Sequence, residues 1–231
     1  MLCFHSHSSF HDFLVSPYIR SFCFFFMHRT HHHDCIYPRL AARRPGFPVV
    51  VLDMNGVLVY RTHQFKGHVR PDIVNFLHCL HSFADVAVWS SMGTTTLSYW
   101  ISRLLPDTDD FFVGVWDGHS CTCDYDRIDW RGVPHVEKPL SVVREGLGER
   151  DVEIIIVDDS VSKFCGDDRN HLLLVPTWNQ VEEECCECVD DRFSPVSSSS
   201  AIILRALKCV CENHSVPIVE SLKEHQIIPH D

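Results

Sequence analysis

The sequence lacks an apolar run long enough to cross a lipid bilayer, which requires roughly 20 residues. Its aromatic run from Phe22 to Phe26 is much shorter than that, and no small-residue cleavage site of the signal-peptide kind follows it. We therefore expect a protein without a membrane span. The nucleus or the cytoplasm is the expected location, with mitochondria as the alternative.

Basic residues are also scarce. The chain has 20 Lys and Arg against 31 Asp and Glu, which gives a formal net charge of −11. A protein that binds nucleic acid through its phosphates needs a basic surface, so this balance argues against nucleic acid as a partner. The negative charge is better suited to attracting a metal ion or a basic partner.

The twelve cysteines do not form the framework of a small disulfide-rich domain. Most lie singly within apolar segments, and scaffolds of that kind are normally much shorter than 231 residues. We expect reduced thiols. The cluster of Cys185, Cys186 and Cys188 lies in an acidic, serine-flanked segment, which favours free thiols in a solvated loop, with a zinc site as the alternative.

Residues 1–45 differ from the rest of the chain. They contain the aromatic run and a histidine-rich patch formed by His28, His31, His32 and His33. We interpret them as a disordered N-terminal extension, or as the product of a misassigned start codon. The domain itself is expected over residues 46–231.

Short apolar runs alternate with segments of helical spacing along that domain. This alternation predicts βαβ units and hence an α/β fold with a three-layer, Rossmann-like parallel sheet. Residues 117–137 are polar and mixed, and we expect them to be a loop or a short hairpin inserted into this pattern. Strands are predicted at 48–52, 84–89, 111–116, 152–157 and 171–175, and helices after Arg70-Pro71 and at 94–105, 141–147, 201–211 and 216–224.

The predicted helix over residues 201–211 has Ile202, Leu204, Leu207 and Val210 as its apolar candidates. Before it, the segment from Val181 to Ser200 is acidic and then serine-rich, which indicates a solvated loop.

Polar residues follow three of the predicted strands. Asp53 and Asn55 follow the first, Ser90 the second, and Asp158 with Asp159 the fourth. Open α/β sheets bind their ligands at the carboxyl ends of the strands, so these side chains are expected to converge. Two carboxylates from different strands suit Mg²⁺.

Lys138 precedes the fourth strand by one helix. An ammonium and a hydroxyl near the metal would bind phosphoryl oxygens, and an aspartate beside them could attack phosphorus.

Four motifs in this order resemble those of the haloacid dehalogenase superfamily. Within it, the chain is similar to the RNA polymerase II C-terminal-domain phosphatases, also called NLI-interacting-factor-like phosphatases. The resemblance covers about residues 47–225 and implies a Mg²⁺-dependent phosphatase acting on phosphoserine or phosphothreonine in proteins. The motifs are Val51–Leu58, Val88–Ser91, Glu137–Ser141 and Ile156–Ser160.

The resemblance also implies roles for single residues. Asp53 would be the nucleophile that forms an aspartyl-phosphate, and Ser90 and Lys138 would bind the transferred phosphoryl group. The metal would be held by Asp53, the Asn55 carbonyl, Asp158 and, through water, Asp159.

One position departs from the family pattern. The family has a second aspartate where this chain has Asn55, and that aspartate protonates the leaving group and then activates water. An amide can do neither, and general acid–base catalysis is typically worth about 10²–10⁴-fold. Two hypotheses therefore stay open. The chain is either a weak phosphatase or a non-catalytic module that binds a phosphopeptide or a protein partner. The resemblance gives the second a precedent, because relatives in the mitochondrial presequence translocase use this fold as a receptor.

Overall fold

Five short strands form a parallel sheet at the centre of the domain. The computed structural model describes residues 40–105, 110–179, 199–213 and 216–227. The sheet contains β1 (Val49–Leu52), β4 (Asp85–Trp89), β5 (Gly114–Trp116), β8 (Ile154–Asp158) and β9 (Leu172–Leu174), and their spatial order is β5-β4-β1-β8-β9. Every pairing is parallel. The predicted α/β class and parallel sheet are confirmed, although β5 is shorter than predicted.

Both faces of the sheet are covered, which explains why the central strands are continuously apolar. In β1, Val50 and Leu52 join the core on one face, while Val49 and Val51 join the core on the other. The first core includes α1 (Ile73–His81), α2 (Thr94–Leu104), α4 (Ser199–Glu212) and α5 (Ile218–Glu224), and the second includes α3 (Leu140–Leu147). The domain therefore has the three layers that the sequence predicts.

Two β-hairpins lie outside the main sheet. The first hairpin pairs β2 (Val59–His63) with β3 (Lys66–Val69) directly after β1. This hairpin was not predicted from the sequence. The second pairs β6 (Thr122–Ile128) with β7 (Pro134–Glu137). The second hairpin is the insertion expected within residues 117–137, and it ends next to Lys138.

The helix α4 differs in two details from the helix that was predicted over residues 201–211. It begins at Ser199 and not at Ala201, so the end of the expected solvated loop is helical. Ile202 is 48% exposed, whereas Ile203 is 2% exposed. The reason is helical phase, because Ile203, Leu207 and Val210 recur at the spacing of one helix face and Ile202 lies beside that face.

Residues 40–45 contact the domain in several places, and a buried carboxylate is the partner of two of their arginines. Asp85, which is 1% exposed, accepts hydrogen bonds from the Arg44 backbone N–H at 2.9 Å and from Arg44 Nε at 2.6 Å. The Arg43 guanidinium forms a further ion pair with it. Two cations therefore offset a charge that burial would otherwise make costly. The rest of the expected N-terminal extension, residues 1–39, lies outside the described residues.

The described residues also do not include the cluster of Cys185, Cys186 and Cys188 or most of the serine-rich segment before α4. Within the described part of the chain, no helix is long and apolar enough to cross a membrane.

Candidate active site

The two central strands place two carboxylates side by side at the carboxyl edge of the sheet. Asp53 directly follows β1, and its backbone N–H donates to the Val157 carbonyl on β8 at 2.9 Å. Asp158 is the last residue of β8. Both side chains are buried, at 3% and 0% exposure, so each needs a partner of opposite charge.

Two lysines provide that charge and close a ring of alternating ions. Lys138 Nζ donates to Asp53 Oδ1 at 3.0 Å and to Asp158 Oδ2 at 2.7 Å. Lys163 Nζ donates to the other oxygens, Asp53 Oδ2 and Asp158 Oδ1, at 2.9 Å each. Lys138 also donates to the Trp89 carbonyl at 2.9 Å, which fixes the ring to the end of β4.

The ring sets the protonation state of the nucleophile candidate. Burial opposes ionisation of Asp53, but the charges of Lys138 and Lys163 outweigh it and hold the pKa of Asp53 below its usual range. Burial and the neighbouring Asp53 charge raise the pKa of Asp158. Burial also opposes the charge of Lys163, but the two aspartates outweigh it and raise the lysine pKa. At neutral pH, Asp53 is a carboxylate and Lys163 an ammonium.

Ser90 and Asn55 lie at the same edge but make different contacts. Ser90 is buried at the end of β4, where its Oγ accepts the Met92 backbone N–H at 3.3 Å. The Asn55 amide oxygen accepts the Arg61 backbone N–H from the β2–β3 hairpin at 3.1 Å. The Asn55 side chain therefore links the loop after β1 to that hairpin.

Three carboxylates are close enough to share one cation. Oxygens of Asp53, Asp158 and Asp159 all lie within 4.8 Å of one another. Oxygen donors in such a cluster match the preference of Mg²⁺, which takes oxygen ligands and retains several waters. The residues present therefore fit the metal that the resemblance implies, with Asp159 on the more exposed side.

Lys163 is a site residue that was not predicted from the sequence. This residue ends a 3₁₀ turn, Val161–Lys163, that follows Asp158 and turns the chain back towards the sheet. Periodicity gives no signal for such a turn, and a lone lysine in a polar segment is usually a solvated charge. Of the predicted residues, Asp53, Lys138 and Asp158 are in direct contact, and Asp159 reaches the ring through Lys163, whose Nζ lies 3.7 Å from Asp159 Oδ1.

Two solved structures of Fcp1 are distantly similar to the chain. A structure of Fcp1, an essential RNA polymerase II CTD phosphatase, is 9% identical, with a TM-score of 0.47, over 72% of this chain and 62% of that one. A fission yeast Fcp1 variant bound to beryllium fluoride is 10% identical, with a TM-score of 0.49, over 74% of this chain and 64% of that one. The chain therefore spans less than two thirds of the length of either structure. No curated protein matched the chain.

A family model gives the decisive comparison. The model for NLI interacting factor-like phosphatases matches residues 48–198, which is more than half of the chain and contains all four motifs. This result agrees with the α/β architecture and its parallel sheet, and with the resemblance found in the sequence. The chain belongs to the family of NLI interacting factor-like phosphatases.

Proposed function

We propose that this protein hydrolyses phosphoserine and phosphothreonine esters in proteins, with Asp53 as nucleophile and Mg²⁺ as cofactor, and that Asn55 makes turnover slow. The observation that carries the proposal is a buried Asp53 at a strand end, paired with Lys138 and Lys163 and close to the carboxylates of Asp158 and Asp159. Family membership supports the same chemistry. The nucleus or cytoplasm is the proposed location, with mitochondria as the alternative.

Asp53 starts the reaction in this account. One of its carboxylate oxygens attacks the phosphorus atom, a P–O bond forms, and the bond from phosphorus to the serine or threonine oxygen breaks. The electron pair of the broken bond remains on the leaving oxygen, which must gain a proton. The product on the protein is an aspartyl-phosphate at Asp53.

Lys138 and Ser90 bind the group that is transferred. The Lys138 ammonium contacts Asp53 and lies beside the end of β4, where it can offset charge on the phosphoryl oxygens. The Ser90 hydroxyl can donate a hydrogen bond to one of those oxygens. Asp53, Asp158 and Asp159, with the Asn55 carbonyl, would hold Mg²⁺, which supplies further positive charge to the phosphoryl group when bound.

Asn55 limits both halves of the reaction. The amide has no proton of suitable acidity for the leaving alkoxide, so that proton must come from water. The amide also cannot take a proton from the water that attacks the aspartyl-phosphate. Loss of a general acid–base group costs about 10²–10⁴-fold in rate, or roughly 3–5 kcal/mol of barrier.

Asn55 also favours the second candidate, a module that binds a phosphorylated protein or peptide without turning it over. An amide at this position is compatible with the ring of two lysines and two aspartates while it removes the acid and base. In that case the same ring of charges would serve for recognition alone.

Phosphatase activity on an aryl phosphate, with and without Mg²⁺, tests the first candidate. An aryl oxide departs without a proton, so the wild-type chain should release about one equivalent rapidly in Mg²⁺ and then turn over slowly. Asp53→Asn, which preserves the size of the side chain, should release none. Equal release by wild type and Asp53→Asn would contradict the nucleophile assignment.

A further inference from the structure

The ammonium of Lys163 contacts the same oxygens that a metal ion would use. Its Nζ lies 2.9 Å from Asp53 Oδ2 and 2.9 Å from Asp158 Oδ1, and it lies 3.7 Å from Asp159 Oδ1. These three residues form the carboxylate cluster described above. An ammonium and a divalent cation cannot both occupy the space between these oxygens, so their binding is mutually exclusive.

The backbone of Lys163 is held in place while its side chain has a route to solvent. The Lys163 carbonyl accepts the Lys138 backbone N–H at 2.8 Å, and the next residue, Phe164, is fully buried. The Lys163 side chain is 20% exposed, whereas that of Lys138 is 1% exposed. Of these two ammoniums, only Lys163 can move aside by rotating its own side chain.

We propose that Lys163 is a tethered cation that competes with Mg²⁺ for Asp53, Asp158 and Asp159, and that it lowers the metal affinity of the site. The inference rests on the metal site of the proposed function but not on turnover. When Lys163 lies between the carboxylates, it screens their mutual repulsion and stabilises the metal-free protein. Metal entry then requires that two buried ion pairs be broken, which is costly.

The same contact also bears on the nucleophile. With Lys163 in place, each oxygen of Asp53 accepts a hydrogen bond from a lysine. When Lys163 moves out, Asp53 Oδ2 becomes available to the metal, while Oδ1 stays with Lys138. Metal binding therefore changes one of the two partners of the proposed nucleophile, and Lys163 is a positioning residue that acts through Asp53.

Isothermal titration of the full chain with MgCl₂ tests the proposal without any substrate. Lys163→Met retains the length of the side chain and removes its charge, so Mg²⁺ should bind at least about tenfold more tightly than to wild type. Lys163→Arg retains the charge and should bind Mg²⁺ as weakly as wild type. Lys208→Met is the matched control, because it removes an exposed lysine paired with Glu212 on α4, away from the site, and should change nothing.

Unchanged or weaker Mg²⁺ binding by Lys163→Met would overturn the inference, and so would tightening in Lys163→Arg or Lys208→Met. If Lys163→Met fails to fold, Lys163→Gln is titrated instead, with the same expected tightening. Asp158→Ala separates this failure from that of the proposed function. If Asp158→Ala abolishes Mg²⁺ binding but Lys163→Met leaves it unchanged, the metal site stands and the competition is wrong. If Mg²⁺ binds none of the variants, both are wrong.

Discussion

Gly56 is the residue that allows the loop after β1 to approach Asp159. Its φ is +86°, a left-handed conformation that favours glycine, and a Cβ built on it would lie 2.1 Å from Asp159 Oδ2 and 3.1 Å from Thr177 Cγ2. The Trp178 backbone N–H donates to the Gly56 carbonyl at 2.7 Å, which holds the two loops together. Glycine is therefore required at this position for both conformation and space.

Gly56→Ala should destabilise the domain by more than the cost of backbone strain alone. A left-handed alanine costs roughly 1–2 kcal/mol, and forcing an extra methyl into a packed site costs about 1–3 kcal/mol more. Gly148→Ala is the control, because Gly148 is also left-handed, at φ +69°, but apart from its own residue and its two chain neighbours no described atom lies within 4 Å of its Cβ position. Urea unfolding measures the free energy of unfolding of both variants. Equal losses of that free energy would show that the Asp159 side chain moves aside without cost.

At the residue scale, the site residues at the strand ends could be predicted from the sequence. Lys163, which reaches the site from a turn, could not. Asp53, Ser90 and Asp158 follow buried apolar runs, and parallel strands bring their carboxyl ends to one edge. Lys163 reaches the same site through a 3₁₀ turn with no periodicity. Its place in the site depends on contacts with Asp53, 110 positions away in the chain, and with Asp158, 5 positions away, and no periodic pattern encodes either contact.

At the scale of elements, buried strands and amphipathic helices could be predicted and the β2–β3 hairpin could not. The helix α1 buries Ile73, Phe76, Leu77 and Leu80, the four residues that its spacing indicates. The hairpin has one buried residue, Val59, and otherwise partly or fully exposed positions, so its strands carry little apolar signal. Its position depends instead on Asn55 and on backbone hydrogen bonds to the loop after β1.

The helix α4 provides a test of helical phase through two cysteines on different faces. Cys209 is exposed, and Cys211 is buried against the core. Burial, reinforced by the charges of Glu153 and Glu212, raises the pKa of the Cys211 thiol to about 12. Cys211 is therefore almost entirely protonated at pH 8, and only the thiolate reacts with an alkylating reagent.

We predict that iodoacetamide at pH 8 labels Cys209 and leaves Cys211 unlabelled until the domain unfolds in urea. The raised pKa of Cys211 also makes the free energy of unfolding depend on pH. An unfolded thiol ionises near pH ~8.5, so the contribution of protonated Cys211 to the free energy of unfolding is complete below that pH. It is lost as the pH rises towards about 12. Peptide mass spectrometry identifies the labelled residue. Equal labelling of both cysteines in the native state would mean that the phase assigned to α4 is wrong.

At the scale of the whole molecule, a net charge of −11 coexists with a site whose carboxylates are nearly balanced by two lysines. The sheet brings together residues that are far apart in the chain, and the buried ion pairs between them fix their protonation states. We propose that this arrangement prepares a nucleophile and a metal site, and that Asn55 removes the group that would move protons. In this proposal the site is catalytic and its rate is limited at this one position.

Steady turnover by Asn55→Asp tests that claim most directly. The substitution restores a carboxyl group with nearly the same shape, and its oxygen can still accept the Arg61 backbone N–H. In Mg²⁺, we expect turnover of both an aryl phosphate and a phosphoserine peptide to rise by about 10²-fold or more over wild type, and the gain should be larger for the peptide because its alkoxide needs a proton. If Asn55→Asp binds Mg²⁺ but remains inert on both substrates, the site is not catalytic, and the binding-module account is the better one.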